Sequence, residues 1–431
     1  MQVMKWSVIA LAVAAGTSQL AIASEQSESA GFVEGSSFNV LTRALYFNRD
    51  FRNHNGPVVN GKEVSRAEAT GLGFIGTFES GFTVGTVGVG LDGIALQGAK
   101  LDGGKGHVNR TSMFPIGDSG DAADDFSSAG VAVKARISNT TAKYGTQFVG
   151  LPVFSTDDSR LLPETANGTL ITSNEIEGLT LNAAYFTALN SQTDSRFDAH
   201  ALKNAKVIGG FYSFNDDLSA GLYASDLEDV FKKYYGNLNY NLTLSESQAL
   251  NFDFNIYRTN YAKEYTGTGE KEHNTIWSLA TAYSFGAHAL TLAYQRSHGG
   301  YTNADGDVIG YDYGQDGGGT IWLSNSVQYS DFNGKDEKSW QLRYDLDFAE
   351  FGVPGLAFMT RYITGTGIDT GTTNSGKEWE RDIQIGYTVQ EGAAKDLNVR
   401  VRQATYRSGT KGWGNDIDEV RVIVEYPLSI L

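Results

Sequence analysis

The stretch from Leu250 to Thr259 reads LNFDFNIYRT. Leu250, Phe252, Phe254 and Ile256 alternate with Asn251, Asp253, Asn255, Tyr257 and Thr259. A side-chain period of two predicts a β-strand, here with one apolar and one wet face. The same alternation recurs through Leu179, Leu181, Ala183 and Tyr185, and through Leu218, Ala220, Leu222 and Ala224. It returns in Tyr234, Leu238, Tyr240 and Leu242, in Trp277, Leu279 and Tyr283, and in Leu290, Leu292 and Tyr294. Later examples are Trp340, Leu342, Tyr344, Leu346 and Phe348, then Val399 and Val401, then Val420, Val422, Val424 and Tyr426. Short turns and long polar connections separate these segments in alternation, the pattern of a transmembrane β-barrel around a watery lumen.

Lys5 followed by an apolar run to Ala15, then Ala21-Ile22-Ala23 before Ser24, reads as a secretory signal peptide over residues 1–23. Residues 24–431 then form a single domain. Nothing further along is apolar for the ~18 residues that a spanning helix needs, so any crossing must use strands. Those strands must close, because an open edge in lipid strands its N–H and C=O groups. Allowing roughly 20–24 residues per strand with its connections, the chain makes an all-β, antiparallel barrel of about 18 strands.

Composition agrees with a wet lumen: 51 Gly, 23 Phe and 22 Tyr stand beside 6 Pro and no Cys. The missing cysteines exclude disulfides and thiolate metal sites, and a formal charge of −16 argues against a nucleic-acid partner. The histidines, His54, His107, His200, His273, His288 and His298, sit in no nucleophile or metal-binding motif. The glycines of Gly85 to Gly90 precede no helix, so they mark a bend and not a dinucleotide loop. The chain is read as no enzyme, with no cofactor.

Asn215-Asp216-Asp217, Val353-Pro354-Gly355 and Glu391 to Lys395 read as short periplasmic turns. Asn48 to Ala67, Gly98 to Phe126, Leu151 to Asn167, Gly299 to Lys338 and Thr364 to Glu380 read as long extracellular loops. Pro57, Pro115, Pro152, Pro163 and Pro354 fall in these connections, where no ladder N–H is lost. Pro427, in the closing strand, belongs near its periplasmic end.

Longer motifs carry a family likeness. GFVEGSSFNVLTRALYFNRDFRN (Gly31 to Asn53), SRLLPETANGTLITSNEIEGLTLNA (Ser159 to Ala183) and GGGTIWLSNSVQYSDFNGKDEKSWQLRYDLDFAEFGVPGLAFMTRY (Gly317 to Tyr362) resemble the OprD family of pseudomonad porins. VRQATYR (Val401 to Arg407) and EVRVIVEYPLSIL (Glu419 to Leu431) extend the resemblance to the end of the chain. It implies an outer-membrane channel, monomeric or weakly trimeric, surrounded by lipid and lipopolysaccharide. In that family small carboxylate solutes pass along a ladder of Arg and Lys to an eyelet narrowed by inward-folded loops.

Parity locates such a ladder independently. Lys134 and Arg136 share a face with Ala132 and Ser138, Arg343 with Ser339, Gln341 and Asp345, Arg400 and Arg402 with Asn398, and Arg421 with Glu419 and Glu425. Lys143 shares one with Gln147. Arg43 and Arg361 lie opposite outward neighbours, although Leu41, Met359 and Ile363 share their faces. Any one of these fits equally a lumen charge paired with a nearby carboxylate. Recurrence along one wall fits a ladder, because guanidinium stays charged and forks onto a carboxylate with two hydrogen bonds. Arg296 alternates with Leu290, Leu292 and Tyr294, and Arg381 with Ile383 and Ile385, so pleating points both toward lipid unless a bulge turns them.

Read from its residues alone, the stretch from Ser159 to Glu164 fits a surface loop with a capping Arg; by the same resemblance it folds into the barrel and brings Arg160 to the eyelet. Leu161 and Leu162 would anchor that loop, and Pro163 would stiffen it. Asp157, Asp158, Asp312 and Asp316 could form an opposing acidic wall for a solute's amine, although acidic loop residues more often only meet solvent or bind cations. The expected function is selective, passive uptake of small carboxylate nutrients. A weakly selective porin and an adhesion or receptor barrel are the alternatives.

Overall fold

The computed structural model describes residues 24–52, 58–59, 62–104, 106–118, 120–267, 272–411 and 413–431. The signal-peptide reading, His54 and Pro57 fall outside them. Eighteen long strands form the wall. They are β1 (Ser37–Phe51), β2 (Arg66–Glu79), β3 (Val87–Asp102), β4 (Asp125–Ile137), β5 (Thr140–Gln147) and β6 (Thr165–Ile176). Next come β7 (Leu179–Asn190), β8 (Ala205–Ser213), β9 (Leu218–Leu227), β10 (Phe231–Ser245), β11 (Gln248–Tyr261) and β12 (His273–Phe285). The last are β13 (His288–Thr302), β14 (Lys338–Asp347), β15 (Leu356–Ile368), β16 (Gly376–Thr388), β17 (Asn398–Ser408) and β18 (Ile417–Ser429).

Each strand pairs antiparallel with its sequence neighbour, and β1 closes the ring on β18 from Asn39↔Ser429 to Phe51↔Ile417. Closure leaves no edge for lipid to strip of partners. No helix among the described residues is long and apolar enough to cross a membrane.

Alternation sets the two faces. Leu222, Leu238, Leu292 and Leu342 are all strongly exposed on the outside, an apolar belt whose solvent is lipid. Aromatic rings flank the belt. Trp277, Tyr294 and Trp340 contact in sequence at centroid distances of 5.3 and 4.6 Å near the long-loop end. Near the short-turn end Tyr212 meets Phe214 at 4.7 Å and Tyr283 meets Phe285 at 5.2 Å.

Several connections read as long from sequence are shorter here. β3 continues to Asp102, β13 to Thr302 and β15 to Ile368, because hydrogen-bonded pairing runs past the level where the outward residues stop being apolar. Pro427 pairs with Leu41 near the turn end of β18. The turn-end mouth also receives the segment before β1, where Gln26 donates to the carbonyls of Thr83 and Gly85 and accepts from Arg136 Nε.

Candidate functional site

Residues 148–164, between β5 and β6, and residues 303–337, between β13 and β14, turn inward, and Val108, Met113 and Phe114 of the β3–β4 connection pack against the first of them. On one side of the first, Val149, Leu151, Val153 and Phe154 bury themselves against Phe186, Tyr235, Tyr257, Tyr311 and Leu323. On the other, Leu161 and Leu162 pack with Leu45, Phe47, Ala69, Ile75 and Leu96 of β1, β2 and β3. Gly71 and Gly73 make the room. A methyl group on Gly71 would lie 2.7 Å from Leu161 Cδ2, and one on Gly73 would lie 2.8 Å from the Leu161 carbonyl oxygen.

Polar contacts lock the loop at that depth. Arg43 gives two bonds to the Asp158 carboxylate, at 2.6 and 3.0 Å, and one to Glu425, while its Nη1 also reaches the Arg160 carbonyl. Ser155 N–H donates to the Asp316 carbonyl, and Glu164 Oε2 accepts from Asp157 N and from Gly318 N, which stitches the two inward loops together. The second loop is also pinned to the wall. Lys233 Nζ lies 2.6 Å from Asp316, with both side chains wholly buried, and Glu380 accepts the N–H groups of Tyr329 and Ser330.

Arg160 stands at the narrowing. Its Nε donates to the Thr111 carbonyl and its Nη1 to Ser159, with no carboxylate partner among the described residues. Burial, followed by the neighbouring Arg421, lowers its pKa to about 10, so it is a cation at neutral pH. The Phe47 ring organises the surrounding charge: Arg49, Arg160 and Arg421 all lie over it, at 5.2, 5.6 and 5.2 Å.

The hydrogen-bonded register lays the other arginines across the same wall. Arg343 faces Arg361, which faces Asp382; one row over, Arg402 faces Arg421, and Arg421 faces Phe47. Most are neutralised. Arg343 pairs with Asp345, Arg361 with Asp382, Arg400 with Glu425, and Arg49 and Arg421 share Glu419. Arg402 differs in having no ion pair among the described residues, and its Nε, like that of Arg400, has no acceptor among them. Toward the turn end, Lys134 and Lys143 flank Asp92, and Arg136 covers the Phe82 ring at 4.2 Å.

The acidic candidates separate. Asp157 stays partly exposed and accepts from Ser159 and Gln192. Asp158 is held by Arg43, and Asp312 by the hydroxyls of Tyr265 and Tyr301. Asp316 does not face the lumen, because its carboxylate is consumed by the buried bond to Lys233. Arg43, likewise, is a buried clamp for the loop and not an open rung. Arg49 and Lys233 escaped the parity test, since their inward neighbours are Phe47 and Phe51 in one strand and Phe231 and Tyr235 in the other. Arg296 and Arg381 remain outward, with no register shift beside either.

Above the narrowing, a cavity of about 520 Å³ is lined by Val108, Arg110, Phe114, Ile116 and Arg196 among others.

The model of the OprD family of outer-membrane porins matches residues 30–430. The chain is 46% identical over 458 aligned residues to Porin D of Pseudomonas aeruginosa, covering all of both proteins. OccAB1 of Acinetobacter baumannii superposes with a TM-score of 0.87 at 34% identity, over 95% of this chain and 100% of that one. OpdK of P. aeruginosa, solved with vanillate, gives 0.80 at 32%, over 93% and 100%. The closed barrel, its inward loops and these likenesses together establish that the chain belongs to the OprD family, as an outer-membrane channel and not an enzyme.

Proposed function

We propose that the channel passes small carboxylate-bearing nutrients selectively and without energy input, from the long-loop mouth past Arg160 and along the wall of Arg402, Arg400, Arg361 and Arg343. The observation that carries this reading is that Arg160 and Arg402, both beside Arg421, form no ion pair with a carboxylate among the described residues. Guanidiniums already paired offer an incoming anion little, whereas these two can each fork onto it. The paired arginines suit brief stops, since conduction needs sites that attract a solute and then release it. The solution of OpdK with vanillate puts aromatic acids on the list to try first. Asp157, partly exposed and in no ion pair among the described residues, is the carboxylate offered to an amine on the same solute.

The test is a liposome-uptake panel of aromatic, aliphatic and basic amino acids, with planar-bilayer recordings of ion selectivity. Arg160→Ala and Arg402→Gln are each expected to lower carboxylate uptake and anion preference, Arg160→Ala more strongly and with a rise in small-ion conductance. Arg160→Lys should recover only part of the loss, for want of the fork. Uptake of neutral and anionic solutes at equal rates by the unaltered protein would overturn the reading in favour of a weakly selective pore.

A further inference from the structure

Arg296 and Arg381 are two of the basic residues that alternation sends toward lipid, and the structure keeps them there. They have company. Arg296 pairs with Lys338, Lys338 with Thr366, and Thr366 with Lys377, so a row of three outward cations crosses β13 to β16. Beside them lies the aromatic girdle of Tyr294, Trp340, Tyr362 and Trp379, with Tyr362 and Trp379 stacked at 5.7 Å. Strands in such barrels tilt by roughly 40°, so a level plane slips by about one residue per strand against the hydrogen-bonded rows. The aromatic girdle follows that slip from Trp277 to Tyr362, and the same slip brings Arg381, four residues beyond Lys377, to the height of Trp340.

None of the four cations has a carboxylate partner among the described residues. Lys338, Lys377 and Arg381 are exposed, and Arg381 is steadied only by long contacts to Gln403 and Thr405, at 3.5 and 3.3 Å. Asp336, two residues before Lys338, contacts His298 instead. An Arg on the belt of a barrel costs about 2–4 kcal/mol at the bilayer midplane and about 0–1 near the interface. Four cations without a carboxylate partner among the described residues, lying at and above the rings that sit at headgroup level, call for anions supplied from outside the protein.

We propose that this face binds the phosphates of a glycolipid of the outer leaflet, with its acyl chains along Leu292, Leu342 and Ile385. The long-loop end of such a barrel faces outward, and that leaflet carries the phosphorylated glycolipid. Guanidinium forks match phosphate oxygens, and the lysines add point charge. A diphosphorylated headgroup can engage Arg296 and Lys338 with one phosphate and Arg381 and Lys377 with the other. A phospholipid, with its single phosphate, reaches half the set.

The test measures thermal stabilisation of the purified full-length protein in detergent by diphosphoryl lipid A, by its enzymatically dephosphorylated form and by phosphatidylglycerol. Half-maximal stabilisation is expected at the lowest concentration for diphosphoryl lipid A. Each of Lys338→Gln and Lys377→Gln should raise that concentration about fivefold, by the loss of one interfacial charge, and the four-residue Gln variant by 100-fold or more. Arg381→Lys should retain more binding than Arg381→Gln. The single lysine variants are exposed and keep the test alive if the fourfold variant fails to fold. Equal stabilisation by lipid A and its dephosphorylated form, or by phosphatidylglycerol, would overturn the proposal. So would lysine variants that bind lipid A as the unaltered protein does.

Discussion

Gly73→Val tests the eyelet without touching any charge. Gly73 lies on the inward side of β2, opposite Arg43, at an ordinary backbone φ, so the strand itself accepts a side chain there. The obstacle is the loop. Even a methyl at this position meets the Leu161 carbonyl oxygen at 2.8 Å and Leu162 Cδ2 at 3.2 Å, where ordinary contacts begin at 3.4 Å. Backbone cannot rotate away, and valine adds two further methyls. Overpacking of this kind costs about 1–3 kcal/mol. The strand is locked in the ladder on both sides, so the strain falls on the docked loop, and the undocked population should grow about 5- to 150-fold. Planar-bilayer recordings should then show a larger open level or frequent steps to one, with weaker anion preference as Arg160 is carried away from Arg421. A cysteine placed at position 160 should label faster from the long-loop side. Gly76→Ala is the matched control: it lies on the opposite face of the same strand, where the added methyl meets Ala95 O at an ordinary 3.4 Å. Equal conductance, selectivity and labelling in Gly73→Val and the unaltered protein would show that the loop is not held at the depth described.

Lys233→Met should destabilise the folded channel by about 3–5 kcal/mol, because it leaves the buried Asp316 carboxylate unpaired. A double replacement with Asp316→Leu should recover much of that loss, and heat-dependent gel mobility would read both. A Lys233→Met protein as heat-stable as the original would dismiss the pin. On the lipid side, Phe254 pairs with Leu238 and Leu279, so Phe254→Arg should cost about 2–4 kcal/mol of folding into bilayers if its site is at the midplane. Asn241→Arg, on the watery face, should stay within about 0.5 kcal/mol, and equal damage at both positions would invert the assignment of faces.

Alternation made the barrel legible because lipid outside and water inside impose opposite demands on neighbouring residues. It worked for LNFDFNIYRT at its turn-end half, where Asn251 and Asp253 meet other polar side chains across the wall. It also placed Arg343, Arg361, Arg400, Arg402 and Arg421 on the inner face. At the loop-end half of the same strand the inward Tyr257 is wholly buried and bonds the Pro152 carbonyl of the inward loop. There the inside of the barrel is a packed core.

That difference explains what the sequence hid. Where a loop folds inside, the wall beneath it turns apolar, as at Leu45, Phe47, Phe231 and Tyr235, and a test that seeks polar company for each arginine rejects Arg49 and Lys233. The rejection has a physical lesson. A cation on an inward face among aromatic residues is buried under a loop, and its charge must be met there, by Glu419 for Arg49 and by Asp316 for Lys233. Among the cations on the inward faces of the strands, one with polar neighbours faces the lumen and can do without an ion pair, as Arg402 does among the described residues. The neighbours of a lumen cation therefore sort anchors from rungs. Paired carboxylates, which no alternation reveals, decide which rungs are open to a passing anion.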